Sequence, residues 1–123
     1  MKNGVIQLID LEFEYKIWKK RLDLFSSEVE LIVSRNTHLP EDKKHKSLNA
    51  VELLALEVHK EALEKLKGRI KTKEQELKFY NKDFPITEVH DFFLEHLELR
   101  SKNEKMLQLH LDRISDIVTA IGV

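Results

Sequence analysis

Leu8, Leu11, Tyr15, Trp18, Leu22, Phe25, Val29 and Ile32 recur at alternating spacings of three and four, which holds one apolar seam on a single helical face. The pattern predicts a first helix over about residues 5–35, which at a helical rise of about 1.5 Å per residue is about 45 Å long. A compact globule of this size rarely contains so long an element, so the expected shape is a rod.

Asn36-Thr37-His38-Leu39-Pro40 ends that pattern, because proline disfavours helix in the residue before it and suits the first turn of a new one. A second helix follows to about residue 80. It begins either near residue 40, with Glu41 and Asp42 against its dipole, or near 47, with Ser47 as N-cap. Its apolar series reads Leu48, Val51, Ala55, Val58, Ala62, Leu66, Ile70, Lys73, Leu77 and Tyr80, with an interruption of the heptad in the middle and a bend expected near Gly68. Asn81 to Pro85 reads as a turn, and Thr87 as the cap of a third helix over about residues 87–121. The seam expected there is Phe93, Leu97, Arg100, Glu104, Leu107, Leu111, Ile114, Val118 and Ile121, with Arg100 and Glu104 paired one turn apart.

The fold class expected is all-α: about three long amphipathic helices in one domain, residues 1–123, forming an elongated antiparallel bundle or coiled coil that dimerises. Composition agrees. Three glycines and two prolines among 123 residues are too few for the turns of a sandwich or barrel, and 35% charged residues suit thin helical assemblies.

Chemistry is excluded more easily than found. With no cysteine there are no disulfides, thiolate metal sites or thiol nucleophiles. The glycines are too far apart to cradle a phosphate, no serine lies in a Gly-x-Ser-x-Gly turn, and no Glu-x-x-His of the di-iron bundle type occurs. No catalytic residue and no cofactor are therefore expected, and the chain reads as a non-enzyme. The formal charge of -1 gives no field toward nucleic acid. The lysines from Lys60 to Lys82 are expected to face Glu88, Asp91, Glu95 and Glu98 across the hairpin rather than a polyanion. No stretch reaches the roughly 20 apolar residues of a membrane span, nor an apolar run of signal-peptide length near the N-terminus, so no membrane partner and a cytoplasmic location are expected by elimination.

Two features remain. Phe13, Ile17, Leu24 and Leu31 form a second apolar stripe outside the main seam of the first helix, and Phe92, Leu99 and Met106 form one on the third. At roughly 25 cal/mol per Å2, covering several such side chains is worth several kcal/mol, so both sets are candidate interfaces, for a homo-oligomer or a heterologous protein. The function expected is protein–protein interaction or scaffolding by self-association. The alternative is a helical bundle that binds a metal or small ligand through histidines. His45, Glu52 and His59 lie seven apart, as do His96, Asn103 and His110. A hairpin folded about Asp83 and Phe84 brings His59 to His110 and keeps His96 away, which makes His59 and His110 the candidate ligands.

Overall fold

The computed structural model describes residues 4–122; residues 1–3 and 123, the extremes of the domain assigned from sequence, lie outside it. The chain is helical throughout its long elements. Helix α1 spans Leu8–Thr37, a 3-10 segment follows at Glu41–Lys46, and α2 (Ala50–Leu77) and α3 (Asp91–Ala120) complete the order. The only β geometry among the described residues is an isolated antiparallel bridge between Val5 and Thr87.

The helix boundaries follow local hydrogen bonding. Pro40 sits extended before the 3-10 segment, and α2 starts at neither of the two expected positions. Its N-cap is Asn49, whose side chain accepts from the amide of Glu52 while Glu52 reaches back to the amide of Asn49, so two end donors are satisfied reciprocally. Asn36 near the end of α1 accepts from the Leu48 amide at 2.6 Å, tying the connection to the helix it leaves. Thr87 does not cap α3. It is held by the bridge to Val5, and His90 takes the cap, its Nδ1 accepting from the Phe92 amide at 3.0 Å. Helix α2 runs without a break through Gly68, around which a Cβ would meet nothing.

The three helices bury one seam each. On α1 it is the one expected: Leu11, Tyr15, Trp18, Leu22, Phe25 and Val29 are all buried. On α2 it runs through Leu56, His59, Leu63, Leu66, Ile70 and Leu77, an uninterrupted heptad spacing, while Val51 and Val58 are exposed. On α3 it runs through Phe92, His96, Leu99, Asn103, His110, Ile117 and Ile121, and the expected seam residues Leu97, Leu111 and Val118 face outward. The expected seams on α3 and on the first half of α2 are therefore displaced by one position.

Helix α1 runs antiparallel to α2 and parallel to α3. Lys60 meets Glu30, Lys67 meets Asp23 and Lys19 meets Glu74, so α2 numbers fall as α1 numbers rise. Glu14 meets His96 and Glu28 meets His110, both at a separation of 82 residues. The basic stretch of α2 thus pairs chiefly with α1, where the sequence suggested α3. Lys73 is the exception, bridging to Glu95 and lying 4.6 Å from the centre of the Phe92 ring.

Candidate functional site: two buried histidine layers and an exposed stripe

Three histidines occupy core positions. His59 is 2% exposed, and His96 and His110 are 0% exposed. A core histidine has two ring nitrogens to satisfy without water, and each of two layers partners its histidines differently while leaving one Nδ1 without a partner among the described residues.

In the first layer His96 packs against Tyr15, Trp18 and Phe93. Its Nε2 donates to Glu14 Oε1 at 2.9 Å. Arg100, one turn further along α3, donates through Nε to Glu14 Oε2 at 2.9 Å and through Nη2 to Oε1, a bidentate grip. The sequence paired Arg100 with Glu104; the structure pairs it with Glu14, because parallel α1 brings that carboxylate within reach. Burial works against the ionised Glu14, but the bonds and charges of Arg100 and His96 hold its carboxyl below the usual range. Burial also lowers the His96 pKa, with Glu14 opposing, so the neutral ring is the favoured form. Its Nδ1 and the Tyr15 hydroxyl find no partner among the described residues.

In the second layer His59 Nε2 lies 2.9 Å from His110 Nδ1, and His110 Nε2 lies 3.1 Å from Glu28 Oε1. An ionised carboxylate only accepts, so His110 carries its proton on Nε2, and its Nδ1 accepts from the Nε2–H of His59. The chain is then His59 to His110 to Glu28, with the bare Nδ1 of His59 unpartnered among the described residues. The two rings are near parallel, and Phe25 stacks on His110 with centroids 4.1 Å apart. Burial, then the neighbouring charges of His110 and Arg113, push the His59 pKa down to about 4.

The hairpin geometry read from sequence therefore does bring His59 and His110 together. Their facing nitrogens are satisfied by each other at hydrogen-bond distance, and among the described residues no group of three His, Cys, Asp or Glu side chains converges as a metal site would. Glu14 and Glu28 went unread as their partners. The available signal was that these two glutamates are spaced as His96 and His110 are, two heptads apart.

The candidate interface residues divide. On α1, Phe13, Leu24 and Leu31 are 61%, 58% and 70% exposed, Ile17 is half-buried beside them, and Ile9 extends the stripe. On α3 the assignment is corrected: Phe92 and Leu99 are buried inside the bundle and Met106 is half-buried against the core. They are the α3 seam itself, whose polar members disguised it. No helix among the described residues is long and apolar enough to cross a membrane. Comparison with known family models, curated proteins and solved structures finds no match to this chain.

Proposed function

We propose that this protein is a non-enzymatic interaction and scaffolding module that works by self-association through the outer face of α1. The observation that supports the reading is the stripe of Ile9, Phe13, Leu24 and Leu31, four large apolar side chains more than half exposed on a helix whose opposite face already fills the core. Fully covering a side chain of this kind contributes about 1.5–3 kcal/mol, so four of them, with Ile17 between, supply enough to offset the cost of association. The buried polar layers serve this role indirectly: they fix how the helices sit against one another and so hold the α1 face straight and rigid.

Sedimentation equilibrium of the purified protein tests the proposal. The expected result is a dimer or higher oligomer for the parent chain, and a monomer of unchanged helical circular dichroism for Leu24→Asp. A parent chain that is monomeric, or a Leu24→Asp variant of undiminished mass, overturns it.

A further inference from the structure

If α1 mediates self-association, the arrangement of its residues also specifies how two copies meet. We infer that the surface opposite the core is an antiparallel homodimer interface, with a two-fold axis passing beside Leu24 and α1 of one copy lying against α1 of the other. The proposal rests on the self-association reading and adds its geometry.

The apolar residues are symmetric about that point. Ile17 and Leu31 stand one heptad before and one heptad after Leu24, on the same helical face. A two-fold axis at Leu24 sets that residue against its own copy, Ile17 of each copy against Leu31 of the other, and Phe13 against Arg35. No apolar member of the central stripe is left facing a gap.

The charges that flank the stripe complement one another in an antiparallel pairing about the same point better than in a parallel one. Before Leu24 the flanks of the stripe carry Lys16, Lys20 and Arg21 together with Asp10, Glu12 and Asp23, of which Glu12 is paired with Lys16 and Asp23 with Lys67; after it they carry Glu28 and Glu30 with Arg35. The axis brings Lys16 and Lys20 of one copy on either side of Glu30 of the other, and Arg21 to Glu28. Glu30 is already steadied by Lys60 yet remains 62% exposed, so it is positioned to accept further cations. A parallel dimer would instead gather Lys16, Lys20 and Arg21 of both copies at one end, at a like-charge cost.

Two depressions lie between α1 and α2. The one toward the start of α1 is lined by Phe13, Ile17, Lys16, Lys20, Lys67 and Lys71. The one toward the end of α1 is lined by Val33, Leu53, Glu30, Glu57 and Lys60. One is strongly cationic with an apolar floor and the other is net acidic with an apolar floor. The apolar stripe and the charges that flank it thus share one symmetry centre.

The absence of cysteine makes the test direct, because a single introduced thiol can pair only with its counterpart in another copy. A disulfide needs Cα atoms within about 7 Å, whereas Ile17 and its own counterpart would be about 20 Å apart across the axis. Leu24→Cys, Ile17→Cys and Leu31→Cys are each oxidised under mild conditions and read on non-reducing gels beside the sedimentation mass. Leu24→Cys alone should cross-link at least about tenfold faster than either of the others alone, and an equimolar mixture of Ile17→Cys with Leu31→Cys should cross-link as one hetero-pair. Efficient cross-linking of Ile17→Cys by itself would mean a parallel dimer and overturn the inference. A dimeric mass with no preferred thiol would place the interface elsewhere, overturning the geometry while leaving self-association intact. A monomeric mass overturns both and leaves the stripe to a different protein.

Discussion

The two histidine layers begin from the same construction and end differently. Each pairs a core histidine of α3 with a glutamate of α1 across 82 residues of sequence. In the first, a permanently charged arginine closes the carboxylate from its second side. In the second, the carboxylate takes a single bond from within the core, and the far end of the chain is another histidine. The first layer therefore stays polarised in one sense at any ordinary pH, since Arg100 keeps its charge and holds Glu14 ionised. The second has no permanent cation bonded to it and depends on His59 remaining neutral. One fold thus carries a fixed electrostatic lock and a titratable joint about 20 Å apart along the same pair of helices.

The most direct test of this contrast is the removal of each glutamate. Glu14→Ala strands a buried histidine donor and releases the partly exposed Arg100 guanidinium, and should cost about 2 kcal/mol of folding stability. Glu28→Ala frees one histidine donor beside a side chain already 39% exposed, and should cost about 1 kcal/mol. Urea denaturation followed by circular dichroism reads both, and equal or inverted losses would abolish the distinction between lock and joint.

Acid should act next. The folded pKa of His59 lies near 4, below its ordinary value near 6.5, so the unfolded chain takes up that proton before the folded one does. The stability this neutral ring represents is fully present above about pH 6.5 and is lost as pH falls toward 4, by on the order of 2–3 kcal/mol. His96 is depressed in the same direction and adds to the loss. Replacing His59 with phenylalanine should lower stability at neutral pH but flatten its fall between those limits. If the slope of the variant in urea titrations at stepped pH equals that of the parent, His59 is not the titrating member.

The smallest effect belongs to Asn103, which lies midway between the layers. Its amide donates to the Leu99 carbonyl of its own helix at 2.8 Å and makes no hydrogen bond to α1 or α2. Asn103→Leu should therefore change stability by no more than about 1 kcal/mol in either direction, which a thermal melt would show. A larger loss would mean that the layers are continuous through Asn103 rather than separate.

The seam of α1 was legible because every member is apolar. The second half of the α2 seam was legible too, but its first half and the α3 seam were not, because they pass through His59, His96, Asn103 and His110. A search for apolar spacing rejects such residues and settles on the neighbouring positions, taking Leu97 and Leu111 for core and Phe92 and Leu99 for surface. The seven-residue rhythm of the histidines carried the true register. What licensed them as core residues, two glutamates on a helix far away in sequence, exists only once α1 and α3 lie parallel. The capping box of Asn49 and Glu52 was written in the sequence as well, but Pro40 and Ser47 offered competing starts. Helix number, order and the exposed α1 stripe needed no such long-range knowledge, since each follows from periodicity within one segment.

Three helices of similar length, laid side by side with α1 and α3 parallel, bring the described chain in at one end of the rod and out at the other. The entry is fastened where the Ile6 amide donates to the Ile86 carbonyl and the Glu88 amide to the Gly4 carbonyl, beside the start of α3. Thirty residues of α3 separate that clasp from the exit, about 45 Å away. A tension applied across the molecule would therefore be carried along the helix axes, sliding α1 past α3 and loading Glu14–His96 and Glu28–His110 together instead of peeling them apart in turn.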